Sequence, residues 1–224
     1  KKSDLDYRII PGIYEILSGD VSVSQIREVD LEDLLRRDPV RLDTGAISGY
    51  LVGQTVLVTG AGGSIGSEIV RQVARFRPEK VLLLGRGENS LFNIQQELVN
   101  SHPELDFKVL VCDVRDADRL AYLFGIHLPD VVFHAAAHKH VPLMEENPDE
   151  AILNNVFGTR NLAELALEYG VTRFVNISTD KAVNPTSIMG ASKRIAEKVV
   201  KNASNRCEPH QAFVSVRFGN VLGS

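Results

Sequence analysis

The sequence lacks several features that mark broad functional classes. It has no block of basic residues: 25 Lys and Arg stand against 29 Asp and Glu, for a net charge of −4. Nucleic-acid surfaces need clustered cations facing phosphates, so a nucleic-acid partner is not expected. A small anionic ligand needs only a few local donors and stays open. No stretch approaches the roughly 18 apolar residues of a membrane span, and no secretory signal opens the chain. There are two cysteines, Cys112 and Cys207. They have no metal-ligand spacing and form no disulfide framework, so no metal site is expected and a reducing compartment fits. Cys112 follows the apolar run Val109–Val111 and reads as a small buried hydrophobe. No internal repeat or low-complexity tract is visible.

The 224 residues, with 44% hydrophobic and 24% charged, suit one large globular domain or a domain with a small appendage. Residues 1–52 read as an irregular extension. A Pro-Gly turn lies in Arg8–Tyr14, and Val21–Val29 alternates partly like a strand. Leu31–Arg37 reads as one or two helical turns closed by Asp38-Pro39, since a residue before Pro avoids the helical region. Thr44–Gly49 reads as a loop.

Residues 53–224 are regular. Strand-like apolar runs recur at Thr55–Thr59, Lys80–Leu84, Phe107–Val111, Val131–His134, Arg173–Ser178 and Ala212–Arg217. Helical periodicity lies between them: Ile65, Ile69, Val73 and Phe76; Leu91, Ile94 and Leu98; Leu162, Leu165, Ala166 and Tyr169. Runs apolar throughout imply burial on both faces, hence a parallel sheet between helix layers. The fold class is α/β, a doubly wound parallel sheet of the Rossmann type.

The segment Thr59-Gly60-Ala61-Gly62-Gly63-Ser64-Ile65-Gly66 joins the first strand to the first long helix. Gly60, Gly63 and Gly66 stand in the spacing of a dinucleotide-binding turn, with Ser64 and Ile65 at the helix head. Gly60 permits the tight turn, Gly63 close approach of a pyrophosphate, and Gly66 packing of helix on strand. The helix N-terminus adds N–H donors and a positive dipole end. No Gly-Lys-Ser/Thr closes the segment, which excludes a P-loop.

An acid at the end of the second strand would bind the ribose hydroxyls; here the run ends Leu84-Gly85-Arg86-Gly87. Arg86 suits a 2′-phosphate, so the reading favours NADP, with NAD as the alternative and a solvated loop charge as the plain reading of Arg86. Asp113, beside Val114, either reaches the adenine or caps the next helix. Ala135, Ala136 and Ala137 are small enough for a cofactor to lie on their backbone. His138 reads as packing, whereas Lys139 and His140 face substrate.

The motifs TGAGGSIG, HAAAHKHVP, NISTDKAVNPTSIMGASK and RFGNVLGS, in this order over residues 54–224, resemble the extended short-chain dehydrogenase/reductase superfamily. STDKAVNP and HKHVPLMEENP are similar to its nucleotide-sugar 4,6-dehydratases, in the long, membrane-anchored CapD-like branch. The superfamily's Tyr, four residues before Lys193, is Met189 here, a replacement that resembles this branch. A thioether exchanges no proton, so another group must act. The resemblance implies a UDP-N-acetylglucosamine substrate, Asp180 as acid at the C6 oxygen, Lys181 as base at C5, Thr179 at the C4 oxygen and Lys193 on the nicotinamide ribose. It also implies that Asn155 supports the site and that Asn220 donates to the substrate pyrophosphate. A homo-oligomer at the cytoplasmic face of the inner membrane, anchored by segments outside this sequence, is the expected setting. A substrate cap beyond Ser224 is expected as well. A C4-epimerase needs no Asp-Lys pair after the fifth strand, and a non-catalytic dinucleotide-binding domain needs none of these groups together.

Overall fold

The computed structural model describes Arg8–Ile9, Arg27–Glu28, residues 44–219 and Val221. The turn in Arg8–Tyr14, the helical turns expected at Leu31–Arg37, and Asn220 lie outside the described residues. Two contact units divide the chain, 1–44 and 45–224. In the first, Arg8–Ile9 pairs antiparallel with Arg27–Glu28, which falls inside the strand-like stretch Val21–Val29.

In the second unit the strands are β1 (Thr55–Thr59), β2 (Lys80–Gly85), β3 (Phe107–Val111), β4 (Val131–His134), β5 (Arg173–Thr179) and β6 (Ala212–Phe218). They form one sheet in the order β3-β2-β1-β4-β5-β6. Every pairing is parallel. The order reverses between β1 and β4, where a doubly wound sheet opens a crevice at its carboxyl edge. The helices are α1 (Thr44–Leu51), α2 (Ser64–Ala74), α3 (Glu88–Ser101), α4 (Ala117–His127), α5 (Val141–Glu146), α6 (Pro148–Ala151), α7 (Gly158–Glu168) and α8 (Ile188–Ser204). A π-helical segment, Ile152–Phe157, joins α6 to α7.

Alternation along β1 sends Val56 and Val58 to one face and Leu57 to the other. The first face buries Val70 and Val73 of α2 with Leu91, Ile94 and Leu98 of α3. The second buries Leu120 and Phe124 of α4, Leu162 and Ala166 of α7, and Val200 of α8. The α3 and α7 faces are those the periodicity marks. On α2 the buried residues are Gly66, Val70, Val73 and Ala74; of the expected face, Val73 is in the core, Ile69 and Phe76 pack half-buried against it, and Ile65 faces a cavity.

Two expectations need correction. Thr44–Gly49 is not a loop but the body of α1. Gly and Thr are weak helix formers, so its local sequence argues against helix. Leu51, 3% exposed, and Ile47 anchor it on the α2–α3 core. Burial on both faces holds for β1, β2 and β4 but not for β3 or β6. These stand at the two ends of the strand order, and Val111, Val214 and Val216 are exposed.

Candidate active site

The turn after β1 is built from close backbone approaches. Gly60 has φ +66°, which L side chains rarely adopt. A Cβ there would lie 2.8 Å from the Ala136 nitrogen. A Cβ on Gly66 would collide with the Gly60 carbonyl oxygen, so α2 starts tight against the turn. Gly62, which sequence reasoning passed over, would collide with Ser90 of α3. The Gly63 N–H donates to the Gly60 oxygen at 2.8 Å. Gly63 caps α2 and contributes no side chain to the cap. The leading N–H groups of α2 are therefore placed for an anion. Ser64 is exposed at that helix head, and Gly66 is buried as packing.

A cavity of about 200 Å³ opens beside this turn. Gly60, Gly63, Arg86, Asp113, Val114 and Ala135–Ala137, all assigned to the cofactor from sequence, line it. Gly62, Ser90, Cys112, His138 and Asn154 join them, none of them assigned to the cofactor from sequence. Cys112 is buried as expected, and desolvation pushes its thiol up to about 11, so it stays protonated at neutral pH. Asp113 does not cap α4; Asp116 does, accepting from the Arg119 N–H at 2.9 Å. Asp113 accepts from Arg115 Nη2 at 2.8 Å, and that pairing holds its carboxyl below the ordinary range. Arg86 Nη1 lies 3.7 Å from the same carboxylate and is half exposed at the mouth.

A second cavity of about 370 Å³ shares Ala135, Ala137 and His138 with the first, so the two form one cleft across the strand-order reversal. Of the site residues named from sequence, Ile65, Lys139, His140, Thr179, Lys181, Met189 and Lys193 line it. Ile177, Ser178, Phe218, Gly219 and Val221 add to the wall. His138, read from sequence as packing, borders both halves.

Helix α8 carries Met189 and Lys193 one turn apart. Ser187 caps it, accepting from the Gly190 N–H at 3.1 Å. A Cβ on Gly190 would lie 2.5 Å from the Lys181 carbonyl oxygen. Glycine thus lets α8 press against the 3₁₀ turn Asp180–Ala182. Lys193 is 4% exposed and donates to the Ile177 carbonyl at 2.7 Å. Desolvation pushes its ammonium down to about 8. Met189 is buried with Met144 and Ala151.

The Thr179 hydroxyl donates to Asp180 Oδ1 at 2.9 Å, and Lys181 Nζ donates to the same oxygen at 3.2 Å. Asp180 departs from expectation in one respect. A carboxyl keeps its proton in a water-poor pocket, but Asp180 is exposed and is not part of the cavity lining. The Thr179 hydroxyl and then Lys181 lower its pKa, so it is ionised at neutral pH in this state.

Asn155 also departs from its predicted role as a substrate contact. It is fully buried. Its Oδ1 accepts from the His138 N–H at 2.8 Å, and its Nδ2 donates to the His138 carbonyl and the Ser192 hydroxyl. It clamps the loop after β4 to α8 instead of facing a ligand. Beneath it, Thr59 Oγ1 lies 2.7 Å from His134 Nδ1, and His134 Nε2 lies 3.0 Å from Thr159 Oγ1. Thr159 donates its hydroxyl proton to the Asn155 carbonyl, which assigns the ring proton to Nε2. Burial pushes His134 down to about 3, so it is neutral. No group of side chains able to hold a metal ion occurs among the described residues.

The sheet order, the glycine turn at its reversal and the buried lysine below the cleft define an extended short-chain dehydrogenase/reductase domain. Comparison with known proteins narrows this: residues 56–224 match the family described as polysaccharide biosynthesis protein, and the chain belongs to it. The capsular polysaccharide biosynthesis protein CapD of Staphylococcus aureus is 54% identical over 96% of this chain and 36% of its own length. An inverting UDP-N-acetylglucosamine 4,6-dehydratase of Campylobacter jejuni is 36% identical over 77% of this chain and 50% of its own length. The solved UDP-Glc/GlcNAc 4-epimerase of Campylobacter jejuni superposes with a TM-score of 0.68 at 26% identity, covering 74% of this chain and 53% of that one. The chain thus spans half or less of the curated relatives it matches.

Proposed function

We propose that this chain is the dinucleotide-binding core of an NADP-dependent UDP-N-acetylglucosamine 4,6-dehydratase for surface polysaccharide synthesis. The observation that carries the reading is one cavity lined by Thr179, Lys181, Met189 and Lys193. A proton-inert thioether stands one turn from the lysine, and a hydroxyl–carboxylate–ammonium turn stands beside it.

The first cavity suits a dinucleotide: Gly60, Gly62 and Gly63 line it without side chains, and α2 begins at this turn with no side-chain cap on its N–H groups. Gly60–Ser64 hold the diphosphate, Arg86 takes the 2′-phosphate, and Ala135–Ala137 bed the middle of the molecule. Held there, the dinucleotide would supply the hydride acceptor for C4 of the sugar and the hydride donor for C6. Lys193 donates to the ribose hydroxyls. Thr179 hydrogen-bonds the C4 oxygen. Lys181 takes the C5 proton. When the seated sugar excludes solvent, the proton of the Lys181 ammonium passes along its hydrogen bond to Asp180. That leaves Lys181 an amine able to take the C5 proton and Asp180 an acid that protonates the departing C6 hydroxyl. Water leaves and the ion pair is restored. Lys139 and His140 contact the UDP-sugar from the opposite wall.

No helix among the described residues is long and apolar enough to cross a membrane. The setting proposed is a homo-oligomer at the cytoplasmic face of the inner membrane, attached through segments outside this sequence. The N-terminal extension is proposed as the link.

The test supplies full-length protein with UDP-N-acetylglucosamine and follows the sugar nucleotide by mass spectrometry. Loss of one water is expected. Unchanged mass with inverted C4 assigns an epimerase, and no change assigns a non-catalytic domain; either sinks the dehydratase reading. Lys181→Met is expected to retain the dinucleotide and lose deuterium exchange at C5.

A further inference from the structure

Glu197 lies on α8, one turn beyond Lys193, and is 8% exposed. Its carboxylate takes hydrogen bonds from three residues. Oε1 accepts from the Ser178 hydroxyl at 2.7 Å and from Arg217 Nε at 2.8 Å. Oε2 accepts from Arg217 Nη2 at 2.7 Å and Arg194 Nη1 at 3.2 Å. The Arg217 fork meets both oxygens, the planar geometry that fixes orientation as well as distance. These donors hold the carboxyl down to about 2, the Arg217 bond contributing most.

The two strand partners occupy matching places. Ser178 and Arg217 are register neighbours on β5 and β6. The next pair in register is Thr179 and Phe218, and both line the larger cavity. Glu197 therefore ties together the carboxyl ends of two strands where they form the cleft: Ser178 itself lines the larger cavity, and Arg217 stands one residue before Phe218 of its wall. The helix bearing it is the one that presents Lys193.

We propose that Glu197 is a positioning residue, its carboxylate fixing the Thr179–Lys181 turn and the Phe218 wall relative to Lys193. The proposal deepens the dehydratase reading and rests on it for the reaction concerned. A ladder pairing alone sets the strands' spacing but leaves the chain free to swing where it departs into the turn. The Glu197 links stop that swing through Ser178 Oγ and the Arg217 fork. A misplacement of about 1 Å at reacting groups costs on the order of a hundredfold in rate.

Two variants test this in the full-length protein. Ser178→Ala removes one donor and leaves the arginine pairs; Glu197→Gln keeps the shape and removes the charge. In both, kcat for water loss from UDP-N-acetylglucosamine is expected to fall about tenfold to a hundredfold. KM and dinucleotide affinity are expected to stay within about twofold of wild type. Amide hydrogen exchange gives a readout independent of the reaction. Exchange at residues 179–183 is expected to quicken about tenfold, with α2 unchanged. Unchanged exchange at 179–183 in both variants, or equal proportional losses in kcat and dinucleotide affinity, would overturn the proposal. Failure of the wild type to release water sinks the dehydratase reading instead, and the exchange comparison then decides the role of Glu197 alone.

Discussion

Lys193 carries a charge that its surroundings disfavour. It is almost wholly buried, and its ammonium donates to the backbone carbonyl of Ile177. Its pKa near 8 follows from lost hydration, which Glu197 only partly offsets. The group therefore changes charge near physiological pH, where a plain lysine would not. If it holds the nicotinamide ribose as an ammonium, dinucleotide affinity is expected to weaken as pH rises through about 8. A Lys193→Met variant should lose that pH dependence, measured by fluorescence titration with NADPH. At Gly60 the φ of +66° and the 2.8 Å approach to Ala136 leave no room for a methyl group. Gly60→Ala is expected to cost at least about 1–2 kcal/mol in strain and to weaken dinucleotide binding more than tenfold. Isothermal titration checks the binding and urea melts the stability. Residues of this kind were legible in sequence because strand, turn and helix spacing alone imply a backbone cradle. Gly62 and Gly190 were not: each makes room for a side chain or carbonyl far along the chain, Ser90 for one and Lys181 for the other.

At the scale of elements, the loop after β4 and helix α8 owe their relation to a single amide. Asn155 meets both backbone groups of His138 and the Ser192 hydroxyl. Asn155→Ala removes the partner of the His138 N–H, the His138 carbonyl and Asn154 Nδ2, whereas the Ser192 hydroxyl keeps its bond to the Met189 carbonyl. Each orphaned group costs about 1–3 kcal/mol, so a loss of several kcal/mol is expected in urea unfolding. Weaker dinucleotide binding should accompany it, since the same loop carries Ala135–Ala137. Asn155 lies in a π-helical segment, a feature that often marks functional positions. The sequence placed this asparagine beneath the site but not its partners, because hydrogen bonds between residues 17 and 37 apart leave no periodic trace. Helix α1 shows the same limit in the other direction. Its composition favours a loop, and burial of Leu51 and Ile47 outweighs that preference. Strand spans fared better, since runs of apolar residues between helical segments report burial directly. Only at β3 and β6 did that inference overreach, because position in the sheet decides whether a second face is covered.

At the scale of the whole molecule, the buried groups His134, Glu197 and Lys193 couple folding to pH. His134 is lowered to about 3 and Glu197 to about 2, while Lys193 is lowered to about 8. The unfolded chain binds a proton on histidine below about pH 6.5, and the folded chain does not until far lower. Stability from His134 is thus fully present above pH 6.5 and is lost as pH falls toward 3. Glu197 adds a loss that begins below its ordinary value of 4.5 and runs to about 2. Lys193 acts at the alkaline end: its burial cost is fully present below about pH 8 and is relieved as pH rises toward 10.5. Thermal melts between pH 8 and 4 are expected to show Tm falling progressively below about 6.5, with the steepest loss below 4.5. A flat Tm over that range would contradict the buried neutral histidine.

What the sequence determined alone was everything carried by short-range pattern. Apolar strand runs alternating with helical stripes imply the parallel sheet, and TGAGGSIG between a strand and a helix implies the dinucleotide turn. Met189 four residues before Lys193 marks the missing proton carrier. The tertiary structure decided what depends on distant groups meeting. It placed Thr179, Lys181, Met189 and Lys193 around one cavity. It enclosed Asn155 as a clamp, left Asp180 open to solvent, and joined Glu197 to two strand ends. Burial and charge pairing set the protonation state and role of such groups, and both are properties of surroundings that only the folded chain assembles.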